Sequence, residues 1–130
     1  MKDLTIEIEK ALREYTEEVE EAIARVIEED VEAAVKELKN VSPKKTGEYA
    51  RGWAAQKEVS GGTIKMTIYN KNKPQLTHLL EFGHAKRGGG RVSARPHIAP
   101  VEEKLVDEVA RDIEDAIRRG GSIKYHMKRC

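Results

Sequence analysis

Between Pro74 and Glu103 the chain reads PQLTHLLEFGHAKRGGGRVSARPHIAPVEE, and its punctuation leaves little freedom in how that stretch folds. Pro74 suits the first turn of a helix, where its missing N–H would lack a partner anyway. Leu76, Leu79, Leu80 and Phe82 then give that helix an apolar side. Gly83 can take the left-handed conformation that closes a helix. Gly88, Gly89 and Gly90 are expected to keep the next segment mobile until Arg95-Pro96 imposes an extended backbone. A last helix is predicted to start near Pro100, with Glu102 and Glu103 where the helix dipole favours acids. It presents Val101, Leu105, Val109, Ile113 and Ile117 as one stripe and stops at Gly120-Gly121, after Arg118-Arg119.

Upstream, apolar residues recur at threes and fours. Leu12, Tyr15, Val19, Ala22 and Val26 form a first stripe, and Ile27, Val31, Ala34 and Leu38 continue it one position displaced. With no proline or glycine in the way, one long helix is predicted from about Leu4 to Lys39. The displacement argues against a regular coiled coil, whose seam needs a steady heptad. The acidic face of this helix is read either as solvated or as facing a neighbouring subunit. Pro43 ends the helix region, and Thr46-Gly47 begins a short turn or helix leading to Trp53.

A hairpin follows. If Gly61-Gly62 is a two-residue turn, Val59 faces Ile64 and Ala55 faces Ile68 on one side, while Glu58 faces Lys65 on the other. Lys57 falls opposite Met66, tolerable if its alkyl stem lies along the apolar face and its amine reaches water. The fold class is therefore α+β: a small antiparallel sheet built on this hairpin, with a long N-terminal helix, a short middle helix and a C-terminal helix. A lone hairpin is marginal, so further strands are expected from residues 84 to 98, from the C-terminal tail or from another subunit. Residues 1–121 are read as one domain, with a core over 41–121, and 122–130 as a basic tail, mobile or ordered as a strand by a partner.

Composition adds constraints on partners. A charged fraction of 36% with 5% aromatics describes a very polar chain with a thin core, of the kind that gains stability by association. The lone Cys130 cannot form an internal disulfide, and no apolar run is of membrane length, so a soluble protein of a reducing cytoplasm is expected. The net charge of +1 conceals segregation: residues 1–40 carry six Lys/Arg against thirteen Asp/Glu, a net of −7, and residues 41–98 eleven against three, a net of +8. Such asymmetry steers a basic face toward nucleic acid, or lets the two segments attract each other within one chain or between copies. Scarce aromatics in the basic part favour the second.

No catalytic constellation stands out. His78, His84, His97 and His126 have spacings that match no compact metal site, and Cys130 lies in the tail. Gly88 to Gly90 sit beside Lys86, Arg87 and Arg91, but not between a strand and a helix as a phosphate-binding loop requires. The segment is read as a contact loop in which Arg95 also takes part. Ser93, Ser122 and Thr77 lack any nucleophile context, so neither enzyme activity nor a cofactor is expected. Glu81, an acid in the last turn of a helix, opposes the dipole; it is either a surface acid or one half of an ion pair with Arg95 or Arg51, in the same chain or the next.

Three motifs, Pro43-Lys44-Lys45-Thr46-Gly47, Leu79-Leu80-Glu81-Phe82-Gly83 and Arg95-Pro96-His97-Ile98, resemble in order and separation those of the tail-completion (neck) family of long-tailed bacteriophages. The resemblance covers roughly residues 40 to 119, and departs where His84 replaces the usual Thr and His97 the usual Phe. It implies a virion protein, assembled in the host cytoplasm, that completes the head–tail junction as a ring around the DNA channel. Six copies are implied, because tails of this class have sixfold symmetry. The implied partners are the chain itself, adjacent head-closure and tail-terminator or tail-tube proteins, and channel DNA in non-specific contact; no membrane is implied. The competing reading is a basic nucleic-acid-binding module using residues 41–98, whose affinity would fall steeply with salt.

Overall fold

A computed structural model describes residues 4–8, 16–44, 46–60 and 63–120 of the chain. Leu12, Tyr15, Lys45, Gly61-Gly62, Gly121 and residues 122–130, with His126 and Cys130, lie outside the described residues, as do the expectations placed on them. The elements run β1 (Leu4–Ile8), α1 (Glu17–Val41), α2 (Glu48–Arg51), β2 (Trp53–Ser60), β3 (Thr63–Asn70), α3 (Leu76–Phe82), β4 (His84–Ala85), β5 (Arg91–Val92) and α4 (Ile98–Arg118). The fold is α+β.

The hairpin has the register read from the sequence: Val59 opposes Ile64, Ala55 opposes Ile68, Glu58 opposes Lys65 and Lys57 opposes Met66. Ile64, Met66 and Ile68 of β3 are buried on one face. The Lys57 amine pairs with Glu28 of α1 at the half-exposed rim of that face.

Two expectations are corrected at the N-terminus. The long helix begins at Glu17, not near Leu4, and Leu4–Ile8 is a strand. The missing third strand is therefore supplied by this segment: β1 pairs antiparallel with β3, Leu4 opposite Ile68 and Ile8 opposite Ile64, giving the order β1-β3-β2. The physical reason is the strict alternation of Leu4, Ile6 and Ile8 with Thr5 and Glu7, a two-residue period that places the apolar set in register with Ile64, Met66 and Ile68. Thr16 marks the true helix start: its hydroxyl accepts the Val19 N–H at 3.2 Å, and Glu17, Glu18 and Glu20 occupy the first turn.

On the buried face of the sheet lies α1, which presents Val19, Ile23, Val26, Ile27, Val31 and Leu38 to the core. Val101, Leu105, Val109 and Ile113 of α4 join the same core, and Lys104 pairs with Glu37 at 3.3 Å, so the N-terminal part of α4 lies beside the C-terminal part of α1. Across the sheet, Gln56, Glu58 and Lys65 are exposed, leaving a two-layer fold with one wet sheet face.

The segment expected to stay mobile folds back on itself. His84 pairs with Val92 and Ala85 with Arg91, and the turn is closed by the Lys86 N–H on the Gly90 carbonyl at 2.9 Å. Gly89 (φ 107°) and Gly90 (φ 77°) serve the turn geometry, so the glycines shape a hairpin here.

Candidate functional site

The three motifs, separated by tens of residues in the chain, meet at one place. After α1, Ser42 is held extended (φ −67°, ψ 144°), as the residue before a proline must be, and its hydroxyl accepts from the Trp53 indole N–H at 2.8 Å. Thr46 Oγ accepts the Glu48 N–H at 3.2 Å, and Gly47 takes the left-handed φ of 87° that starts α2. That turn delivers Tyr49 and Trp53 to the interior, where their rings meet edge to face at 5.6 Å.

His97 completes the cluster. Its ring lies 5.6 Å from Tyr49 and 6.4 Å from Trp53, both edge-on, so it fills an aromatic position while adding polar contacts. Nδ1 is 2.8 Å from the Arg95 carbonyl and 3.2 Å from Glu81 Oε1; facing two acceptors, it carries the proton. Nε2 then accepts the Tyr49 hydroxyl proton at 2.8 Å. Burial pushes the Tyr49 phenol up to about 12, with the Thr77 hydroxyl opposing and the Glu81 charge adding, so Tyr49 stays a donor.

Glu81 is neither a surface acid nor an in-chain partner of Arg95. Only 6% exposed, its carboxylate accepts the backbone N–H groups of His97 and Ile98 at 2.8 Å on Oε1 and of Ala99 at 3.0 Å on Oε2. It is thus the cap of α4, whose own first turn holds no acid and whose N-cap residue, His97, makes no side-chain cap bond. Burial alone would raise its pKa; the three N–H donors and the adjacent His97 ring overcome burial, and the net shift is downward. The acid that opposes the dipole of α3 answers the dipole of α4. The Arg95 guanidinium instead stays in water, its backbone N–H bonded to the Leu80 carbonyl at 2.7 Å.

Gly83 closes α3 at φ 75°, ψ 176°, and a Cβ there would lie 2.6 Å from the Val92 carbonyl oxygen and 2.9 Å from the Ala94 nitrogen. Of the apolar side expected for α3, Leu76 and Leu80 pack against the core and Leu79 is half-buried, whereas Phe82 is 62% exposed, its ring 4.9 Å from His78. Thr77 and Glu81 are the buried residues of this helix.

Outside the cluster lies a groove of about 730 Å³, lined by Pro43, Lys44, Thr46 and Gly47, by Glu48 and Tyr49, and by Lys73, Leu76, Leu80 and Arg95. Lys86, Arg87 and Gly88 to Gly90 form the projecting tip of the β4–β5 hairpin, with Arg91 on β5; all are exposed, and a Cβ at any of the three glycines would meet nothing. Pro96 is exposed between Arg95 and the buried His97.

Asn70 was not singled out by sequence reasoning. Buried at the end of β3, it donates to the Tyr49 carbonyl at 2.7 Å and accepts from the N–H groups of Asn72 and Lys73 at 3.2 and 2.9 Å. Its signal is an Asn as the last paired residue of the hairpin, opposite Trp53, where a side-chain-closed turn is expected to follow. Among the described residues no three His, Cys, Asp or Glu side chains gather as a metal site requires, and no helix is long and apolar enough to cross a membrane.

No curated protein and no solved structure matches the chain. A family model described as "Bacteriophage HK97-gp10, putative tail-component" matches residues 6–83, a span from β1 through the whole of α3 to Gly83. With more than half of its length so matched, the chain belongs to the HK97-gp10-like family of bacteriophage tail components.

Proposed function

We propose that the protein is a structural component of the phage neck, completing the head–tail junction as a ring around the DNA channel and making or breaking no covalent bond. One observation carries this reading beyond family membership: the charge segregation of the sequence is displayed on the surface. Glu17, Glu18, Glu21 and Glu32 of α1 are exposed, and so are Lys86, Arg87, Arg91 and Arg95 of the later segment. Opposite charges on different elements suit a head-to-tail contact, and such contacts close into rings when the rotation allows. The buried cluster supports a non-enzymatic role, since Glu81, His97 and Tyr49 spend their polar atoms on one another and on backbone groups.

Six copies per ring follow from the resemblance to neck proteins, as do the partners: the chain itself, head-closure and tail-terminator or tail-tube proteins. Its place would be the virion, after assembly in the host cytoplasm. Imaging of assembled virions tests the reading; density for six copies at the neck is expected, and one or two copies, or none, overturns it.

The exposed β4–β5 hairpin favours a second reading as a nucleic-acid contact, with Lys86, Arg87 and Arg91 on phosphates. Duplex affinity falling steeply with salt, together with no ring in the particle, would put that reading first.

A further inference from the structure

We propose that the groove between the 43–47 turn and α3 receives α4 of a second copy, with Val106 seated on Leu76 and Leu80; the inference rests on the ring reading and names one contact within it, made by α4 and separate from the acids of α1. The groove has an apolar floor of Tyr49, Leu76 and Leu80 and a cationic rim of Lys44, Lys73 and Arg95. Its one acid, Glu48, already lies 3.8 Å from Lys73. The Arg95 side chain has no polar partner among the described residues. The walls are fixed before any partner arrives. Asn72 Nδ2 donates to the Glu48 carbonyl at 2.9 Å, Asn70 holds the Lys73 N–H, and Leu80 holds the Arg95 N–H. A preformed site of this kind needs little ordering on binding.

The occupant must bring an apolar side chain surrounded by negative charge. Among the described residues the large exposed hydrophobics are Val41, Val59, Phe82 and Val106. Val41 lies near Lys39 and Lys44 in sequence, Phe82 stacks beside His78 with Arg91 on its carbonyl, and Val59 sits on a strand with Lys57 on the same face. Val106 alone is set among acids: Glu103, Val106, Asp107 and Ala110 are all exposed and fall on one face of α4 by their spacing. Glu103 and Asp107 have no ion-pair partner among the described residues. Groove and α4 face share no residue, so each copy offers both halves of the contact, as a head-to-tail arrangement requires.

The test is a charge swap read by sedimentation equilibrium at rising protein concentration. Arg95→Glu and Asp107→Lys should each weaken self-association by about tenfold or more, and the double variant should recover most of the loss. All substituted side chains are exposed, so the thermal melting of the monomer should stay unchanged. Single variants that associate like the wild type, or a double variant no better than either single, overturn the inference while leaving the ring intact. A wild-type chain that neither self-associates nor forms a ring in particles overturns both.

Discussion

The Glu81 carboxylate lies 2.8 Å from the backbone N–H of His97, so the end of one helix caps the beginning of another that starts sixteen residues later. Through this contact the second and third motifs become one structural unit. The turn of the first motif joins them through Tyr49, just beyond it, whose hydroxyl bonds His97.

Replacing Glu81 with Ala should destabilise the protein by about 2–3 kcal/mol, because a cap is lost and three N–H groups are left without an acceptor. Glu81→Gln, which keeps one acceptor oxygen, should cost about half as much. Urea unfolding measures both, and a loss below about 0.5 kcal/mol for the alanine variant would refute the capping role.

The same residue gives a pH dependence of definite sign. Its folded pKa lies below that of an ordinary glutamate, so its contribution is fully present above the ordinary value and is lost as pH falls through the folded pKa. Between neutral pH and pH 3 the wild type should therefore lose more stability than Glu81→Gln. Parallel curves for the two proteins would show that the Glu81 charge contributes nothing.

Tyr49→Phe removes the hydroxyl that His97 Nε2 accepts from, and should cost about 1–2 kcal/mol. In an ultraviolet titration the wild type should retain one tyrosine that resists ionisation until about pH 12, and the variant should lack it. Identical titration curves, after allowing for one fewer phenol, would contradict the buried donor.

Gly83→Ala places a Cβ on a glycine-only conformation and 2.6 Å from the Val92 carbonyl, and should cost about 2–3 kcal/mol. Amide exchange should quicken across β4, β5 and the start of α4. An unperturbed variant would mean that α3 and the hairpin are not held together at this point.

Deleting residues 1–8 separates the observed strand from the expected helix. Without β1 one side of β3 is unpaired, so light scattering should report concentration-dependent association and the urea midpoint should fall. Mere shortening of a helix would leave β3 amide protection unchanged.

These outcomes also show which parts of the fold can be read locally. The β2–β3 register was legible because turn length and cross-strand pairing fix it within a few residues, and the stripes of α1 and α4 because 3.6-residue periodicity is local. β1 was missed because an unbroken run without proline or glycine reads as a continuing helix, while its partner β3 lies far downstream. The Glu81 cap and the Tyr49–His97 bond join residues 18 and 48 positions apart at their widest, and no local pattern encodes such pairings. Three glycines raise the entropy lost on ordering and so predict a mobile segment at the β4–β5 hairpin. Its base is nevertheless set by the tight passage of Val92 and Ala94 over Gly83.

The uncovered face of the sheet bears on how such a protein diverges. Gln56, Glu58 and Lys65 point away from both helices, so their replacement leaves the interior untouched. A lineage can therefore rewrite this face without disturbing the buried cluster of Glu81, Tyr49 and His97.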